Sequence, residues 1–249
     1  MLEFRNITWT TIEELAKASV KPKIILPIGS LEQHGPHLPL STDTIIAEHV
    51  ATAVSKTCHS LLMPSLQIGC SLEHTGFPGT VSLTARTFSS LIEEISEDLF
   101  KSGFRELLMI NGHGGNKAIL DTTVTTLKHA HPDFHPYSFT ILDIAKEKFE
   151  KIRKSEKKMI GHADELETSM MLAIRPDLVE MSKALRERPA FPDPFSFESE
   201  DLAKVTFGWK AKDVTKSGII GSPDLATAQV GKILLDYVIQ SISGIVARI

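Results

Sequence analysis

The sequence has few cysteines and aromatic residues, and neither charge sign dominates it. Two cysteines among 249 residues, Cys58 and Cys70, cannot build the disulfide framework of a small secreted domain. The net charge of −4 comes without the dense basic stripe that favours nucleic-acid binding. No apolar run reaches the roughly 18 residues that cross a bilayer, and no signal-peptide pattern begins the chain. We therefore expect a cytoplasmic protein that binds neither nucleic acid nor a membrane.

Length and composition are typical of a globular enzyme. With 42% hydrophobic and 23% charged residues, the chain can bury a substantial core. The Lys-rich stretch between residues 146 and 158 alternates with glutamates, which is typical of a solvated helix. Because the sequence shows no internal repeat, low-complexity tract or linker, we predict one domain over residues 1–249.

Short apolar runs alternate with amphipathic patterns along the chain. The apolar runs predict strands at residues 23–28, 61–68, 106–110 and 139–144. The amphipathic patterns predict helices that begin at Thr10 and that cover residues 44–55, 87–102 and 116–129. A last helix is predicted to start with Ser222 as its N-cap and Pro223 in its first turn. This alternation favours an α/β fold with a mostly parallel sheet between two layers of helices.

One stretch, residues 188–221, breaks the alternation of strands and helices. It is rich in proline and phenylalanine, with Pro189, Phe191, Pro192, Pro194, Phe195 and Phe197 close together. We interpret it as a surface excursion that lies near the functional site or at a subunit contact.

Polar side chains follow two of the predicted strands. Glu32 and His34 come after the strand at residues 23–28, and His113 lies in a glycine-rich loop after the strand at 106–110. Ligands of open parallel sheets bind at the carboxyl ends of the strands, so these side chains should converge. Asp43, where the next helix begins, has two carboxylate oxygens that can serve two ions. Carboxylate and imidazole ligands without thiolates suit Zn²⁺, Mn²⁺ or Fe²⁺, and we predict a metal-dependent hydrolase.

Each of these residues also has a simpler interpretation. Asp43 can be the N-cap of its helix, because Ser-Thr-Asp is a capping sequence. The loop at residues 111–116 can bind an anion at the start of the following helix. Glu165 and Glu167 can be first-turn carboxylates favoured by the helix dipole. His74, in a turn-rich loop, can be structural.

Four motifs in the sequence resemble those of the creatininase (creatinine amidohydrolase) family. They occur in the expected order between residues 29 and 169 and read Gly-Ser-Leu-Glu32-Gln-His34-Gly-Pro-His-Leu-Pro-Leu-x-x-Asp43-Thr, Glu73-His74-x-x-Phe-Pro-Gly-Thr80, Asn111-Gly-His113-Gly-Gly-Asn116 and His162-Ala-x-x-x-Glu167-Thr-Ser. The resemblance implies a three-layer α/β/α sandwich with a mostly parallel central sheet and two divalent metal ions per chain. It also implies a homo-oligomer, with a hexamer among the assemblies expected.

The resemblance also implies which residues hold the ions. In creatininase itself, a glutamate in the glycine-rich loop binds the second ion, whereas this chain has Gly115 at the matching position. By the resemblance to relatives with the Gly-Gly form, Glu167 replaces that ligand, and Glu165 is the alternative. The implied set is Glu32 and His113 on one ion, His34 and Glu167 on the other, and Asp43 between them.

This site would hydrolyse an amide with a metal-bound hydroxide. Two cations lower the pKa of a shared water from about 15.7 to roughly 7. We expect His162 to donate a proton to the leaving nitrogen or to stabilise the tetrahedral intermediate, and Glu165 to shuttle the proton. The predicted function is therefore a metal-dependent amidohydrolase that cleaves a C–N bond, in a cyclic amide or formamide of a small molecule.

The sequence leaves other functions open. Creatininase closes its pocket with tryptophans before the His-Ala motif, but the matching stretch, residues 151–161, contains none. Creatinine is therefore disfavoured as the substrate, although creatinine amidohydrolase activity stays an alternative. A non-catalytic, metal-bound protein that binds a small molecule is a second alternative. A phosphate-transferring enzyme is less favoured, because the Gly-x-x-x-x-Gly-Lys-Ser/Thr pattern is absent.

Overall fold

The structure is a computed structural model that describes residues 2–156, 161–191 and 207–249. Part of the stretch at 188–221 therefore lies outside the described residues, including Pro192, Pro194, Phe195 and Phe197. The last two residues of the Lys-rich stretch, 157 and 158, lie outside them as well. Among the described residues, no helix is both long and apolar enough to span a membrane.

A five-stranded parallel sheet lies at the centre of the molecule. Its middle strand is entirely buried because its sequence, Ile-Ile-Leu-Pro-Ile, is apolar on both faces. In the order β1-β3-β2-β4-β5, the sheet places β2 directly beside β4. The strands are β1 (Leu2–Glu3), β2 (Ile24–Ile28), β3 (Leu61–Leu62), β4 (Glu106–Asn111) and β5 (His135–Thr140).

Helices cover both faces of this sheet and form two hydrophobic cores. Alternate residues of the strands point to opposite faces, so Ile25 packs in one core and Ile24 in the other. The first core lies under α2, α5, α6 and α8, and the second under α1, α3 and α4. The described α-helices are α1 (Trp9–Lys17), α2 (Thr42–Cys58), α3 (Ala85–Lys101), α4 (Lys117–Ala130), α5 (Ile141–Ile152), α6 (Glu165–Ile174), α7 (Ala211–Val214) and α8 (Ala228–Val246). The predicted three-layer α/β/α fold is confirmed.

Two of the predicted strands have other bounds than expected. The prediction of a strand over residues 139–144 is wrong beyond Thr140, where β5 ends and α5 begins. Ile141, Ala145 and Phe149 are all fully buried, and their spacing of four residues is that of a helix. In the stretch 61–68, only Leu61–Leu62 forms a regular strand, and beyond Pro64 the chain meets β2 again through an isolated bridge between Leu66 and Ile28.

The first and last helices have other N-caps than predicted. The first starts at Trp9, with the Thr8 side chain accepting a hydrogen bond from a backbone N–H of the first turn. The last starts at Ala228, where Thr227 is the N-cap, whereas Ser222 precedes only a single 3₁₀ turn. Both true caps are threonines whose side-chain oxygen satisfies an otherwise unpaired N–H, as a cap should.

Candidate metal centre

The predicted ligands converge at the carboxyl ends of β2 and β4. Glu32 lies four residues after β2, His113 lies two residues after β4, and Asp43 lies in the first turn of α2. Gly112 lets the loop after β4 lie close to the start of α2, because a Cβ added at Gly112 would be 2.3 Å from the backbone oxygen of Asp43. The neighbouring positions of β2 and β4 in the sheet therefore bring together residues that are 81 positions apart in sequence.

Asp43 lies between two imidazole rings. Its Oδ1 is 3.1 Å from His34 Nε2, and its Oδ2 is 2.9 Å from His113 Nδ1. The Ser30 hydroxyl donates to Oδ2 at 2.7 Å. Asp43 is not the N-cap of α2, which is Ser41, and its carboxylate points into the cluster. This two-sided arrangement is the one that a carboxylate shared by two ions requires.

Glu32 is a buried carboxylate without a hydrogen-bond donor. Its residue exposure is 0%, and among the described residues neither side-chain oxygen has a hydrogen-bond partner. Oε2 is 3.2 Å from His113 Nδ1, and Oε1 is 3.9 Å from His34 Nε2. A buried carboxylate of this kind is costly unless a positive charge lies beside it. A cation bound at this carboxylate would remove that cost.

Three histidines share one arrangement of their ring nitrogens. His34 Nδ1 donates to the Glu32 carbonyl at 3.2 Å, and His113 Nε2 donates to the Cys70 carbonyl at 3.0 Å. His162 Nε2 donates to a backbone carbonyl in the same way. Because a carbonyl only accepts, the other nitrogen of each ring is unprotonated in the neutral form and faces the cluster. Metal-binding histidines are held in this way.

The charges of the cluster reveal how it behaves without an ion. Burial opposes the charged form of His34, but the carboxylates of Asp43, Glu167 and Glu32 together outweigh it and raise the pKa of His34 to about 10. Burial likewise opposes a charge on His113, but Glu32 and Asp43 hold its pKa well above the usual range. Burial would raise the pKa of Asp43, yet the two histidines hold it well below its usual range. Protons therefore occupy the positions that cations would take.

Glu167 reaches the cluster from the first turn of α6. Its Oε2 accepts from the backbone N–H of Ala163 at 2.6 Å and lies 3.9 Å from His34 Nε2. Burial, together with the charges of Asp43 and Asp164, raises the pKa of Glu167 to about 8. Ala163, the turn residue before α6, has φ of +51°, a left-handed conformation that is uncommon for alanine.

The structure does not bring Glu165 to the cluster. Its carboxylate accepts from the backbone N–H groups of Lys154, at 2.9 Å, and Ser155, at 2.8 Å. Residues two apart on a helix do not face each other, so Glu165 and Glu167 cannot both point into the cluster from α6. Glu165 therefore secures the segment after α5, whereas Glu167 is the one that faces His34.

His74 lies in the cluster, although sequence reasoning assigned it no function. It is buried, its Nε2 is 3.6 Å from Glu32 Oε1, and its ring centroid is 4.0 Å from that of His162. Its place beside Glu73 in the second motif was the only signal in the sequence.

Within the described part of the chain, three groups of candidate ligands have their ligand atoms within 4.8 Å of one another. They are Glu32, Asp43 and His113; His34, His162 and Glu167; and Glu32, His74 and His162.

A cavity of about 230 Å³ opens over the cluster. Its ionisable lining includes Glu32, His74, His113, His162 and Glu167, and its apolar lining includes Leu142, Phe191, Trp209 and Ile220. The Phe191 and Trp209 rings meet edge to face, with centroids 5.6 Å apart at 85°. The stretch predicted near the functional site or at a subunit contact thus supplies an aromatic wall to the site.

The fold and the buried cluster define an α/β/α protein with a candidate metal centre. Residues 5–246 match the family model Creatininase, described as creatinine amidohydrolase. The chain belongs to the creatininase family.

Similar proteins differ in what they act on. The chain is 28% identical to the creatinine amidohydrolase of Pseudomonas putida, over 96% of this chain and 93% of that protein. It is 33% identical to the mycofactocin precursor peptide peptidase of Mycolicibacterium smegmatis, over 86% of this chain and 80% of that protein. A crystal structure of creatininase superposes with a TM-score of 0.85 at 25% identity, covering 99% of this chain and 97% of the other. The prediction of a hydrolase that acts on carbon–nitrogen bonds is confirmed at the level of the family.

Metal ions occur in structures of this family. A Zn–Zn form and an Mn form of creatininase each superpose on this chain with a TM-score of 0.83 at 26% identity. The carboxylates and imidazoles of the present cluster suit either ion.

Proposed function

We propose that the protein is a metal-dependent amidohydrolase with two divalent ions per chain. The observation that carries this proposal is the buried pair of carboxylates, Glu32 without a hydrogen-bond donor and Asp43 between two imidazoles. Glu32 and His113 would hold one ion, His34 and Glu167 the other, and Asp43 would contact both. Zn²⁺, Mn²⁺ and Fe²⁺ all fit these ligands.

The bound ions would supply a water of lowered pKa and would polarise the carbonyl of the substrate. The chain itself supplies the acid–base group and the walls of the cavity. His162 gives its Nε2 proton to the Gln33 carbonyl at 2.7 Å, so its Nδ1 is free to accept a proton. Nδ1 lies 3.8 Å from Glu32 Oε1, and both residues line the cavity. His162 would take up a proton there during attack and pass it to the leaving nitrogen.

Glu165 has no direct part in this proposal, because its carboxylate is held by backbone N–H groups after α5. The Oε2 of Glu167 accepts from the Ala163 N–H and lies 3.9 Å from His34 Nε2, and burial raises the pKa of Glu167 to about 8. A single glutamate thus remains to complete the second ion position.

The cavity favours a small amide with an apolar flank. Its volume of about 230 Å³ suits a small molecule, and Trp209 and Phe191 would pack against one face of it. A cyclic amide or a formamide is small enough for this volume and can present an apolar face to the two rings. Creatinine itself stays an alternative, because Trp209 provides an aromatic wall although residues 151–161 contain no tryptophan. A non-catalytic, metal-bound protein that binds a small molecule is the second alternative.

Metal analysis followed by amide hydrolysis tests this function. Protein reconstituted with Zn²⁺ or Mn²⁺ and freed of excess ion should contain about two ions per chain. It should release amine or ammonia from creatinine, from another cyclic amide or from a formamidopyrimidine. Two bound ions without turnover on any of these amides would favour the binding protein, and one ion or none would contradict the dinuclear site.

We also propose, from the family resemblance, one domain that assembles as a cytoplasmic homo-oligomer. Sedimentation analysis would test the assembly, and a single cooperative unfolding transition would support the single domain.

A further inference from the structure

Gln33 lies between the ligand candidates Glu32 and His34, and its side-chain amide has a fixed orientation. Oε1 accepts from the Gly35 backbone N–H at 2.9 Å, and Nε2 donates to the Gly218 carbonyl at 3.1 Å. An N–H cannot face an NH₂ group, and a carbonyl cannot face an amide oxygen. These two backbone groups therefore determine which end of the amide is nitrogen.

The second hydrogen of this NH₂ group points to His74. Gln33 Nε2 is 2.9 Å from His74 Nδ1. Because the amide nitrogen only donates, His74 Nδ1 must accept, and a neutral imidazole then carries its proton on Nε2. That Nε2–H faces the cluster, 3.6 Å from Glu32 Oε1 and at the wall of the cavity.

His162, stacked on His74, has the opposite arrangement. The two ring centroids are 4.0 Å apart, with the planes inclined by 30°. The backbone carbonyl of Gln33 takes the Nε2 proton of His162, so His162 presents an unprotonated Nδ1 to the same cavity. Gln33 thus sets the tautomers of both rings. Its carbonyl leaves His162 with a proton acceptor towards the cavity, and its side chain leaves His74 with a proton donor there.

We propose that His74 is a catalytic hydrogen-bond donor whose Nε2–H binds the carbonyl oxygen of the substrate, and that Gln33 positions it. The proposal rests on the proposed function, because it assigns His74 to the same amide site. A protonated Nε2 has no lone pair for a metal, so His74 is not a ligand, although Glu32, His74 and His162 lie close enough for one. The hydrogen bond from His74 to the carbonyl oxygen would become stronger as negative charge develops on that oxygen. Loss of such a donor typically lowers kcat by about 10²- to 10³-fold.

The position of the proton can be measured directly. Long-range ¹H–¹⁵N correlation spectra of the Zn²⁺-loaded protein distinguish a protonated from an unprotonated ring nitrogen. His74 is assigned by the signal lost in His74→Gln. We expect the proton of His74 on Nε2, and the Gln33→Met variant should move part of it to Nδ1.

Binding of acetohydroxamate, an amide-like probe, tests whether the donor contacts a ligand oxygen. We expect His74→Leu to keep two ions and to weaken binding by at least about tenfold, the loss of one buried hydrogen bond. His74→Gln, which can still donate, should stay within about threefold of the wild type. His129→Leu, at an exposed position of α4, is the matched control and should not change binding. On any amide that the wild type cleaves, His74→Leu should lower kcat more than it raises KM.

Three results would overturn the proposal: a wild-type proton on Nδ1, loss of one ion in His74→Leu, or unchanged probe binding in that variant. The proposed function fails separately, when the wild type holds its ions and binds the probe but cleaves no amide. If the wild type holds no ions, the proposed function also fails, and the spectrum of the metal-free protein still decides where the His74 proton lies.

Discussion

Removing the metal ions should make the stability of the protein depend strongly on alkaline pH. In the metal-free protein, burial disfavours the charged His34, yet the nearby carboxylates, chiefly Asp43, raise its pKa from 6.5 to about 10. A raised pKa means that the folded state binds a proton more tightly than the unfolded state. The resulting stabilisation is complete below pH 6.5 and is lost as the pH rises through about 10. His113, whose pKa is also raised, contributes in the same direction.

The pKa shift of His34 sets the size of the effect. Each unit corresponds to about 1.36 kcal/mol, so the shift gives an upper limit of roughly 5 kcal/mol. We expect a loss of about 2 to 4 kcal/mol between pH 6.5 and 10, because local opening admits water before the whole chain unfolds. When ions occupy the imidazole nitrogens, no proton is released there. The loaded protein should therefore show a much flatter dependence.

Urea denaturation at pH 6.5 to 10, with Zn²⁺ or with a chelator, would measure both curves. Their difference removes the titration of tyrosines and lysines, which is common to both samples. The variant His34→Gln should reduce the slope of the metal-free curve. The assignment of these histidines to the ion positions would be refuted if the free energy of unfolding changed equally with pH with and without metal. It would also be refuted if the metal-free protein were equally stable at pH 6.5 and at pH 10.

Four further predictions concern single residues. Asp43→Ala should remove both ions and all turnover, and full metal content by atomic absorption would disprove its shared role. Glu167→Gln should cost about one ion per chain, whereas Glu165→Gln should keep both but lower the melting temperature; the reverse result would exchange their roles. Trp209→Ala should raise KM about tenfold or more with little effect on metal content, and an unchanged KM would remove Trp209 from the substrate wall. Gly231→Ala should destabilise the fold by about 2 kcal/mol or more in urea, because its Cβ would lie 1.8 Å from a backbone oxygen of α6; unchanged stability would contradict the packing of α6 on α8.

Much of the fold follows from local patterns. The apolar run of β2 and the period of α3 are strong signals, so their positions were predicted to within about two residues. The transition from β5 to α5 was missed because Ile141 and its neighbours read equally well as a strand. Only their burial at a spacing of four residues, which depends on packing against α8, decides for a helix.

The motifs in the sequence predicted the candidate ligands, but they did not determine how the ligands are arranged. Glu165 and Glu167 are equivalent in sequence, both in the first turn of α6, and only the direction of each side chain separates them. His74 is also not distinguished by the sequence, because its tautomer depends on Gly218, which lies far along the chain.

The sequence by itself determined the family, the alternation of strands and helices and the residue types of the candidate metal centre, because these depend on local composition and spacing. The tertiary structure alone decided which carboxylate faces His34, which nitrogen of each histidine faces the cavity and which aromatic residues form its wall. Those properties depend on contacts between residues that are distant in the chain, such as Gln33 with Gly218 and Glu32 with His113. Hydrogen bonds and burial act over a few ångströms in space, whatever the distance along the chain.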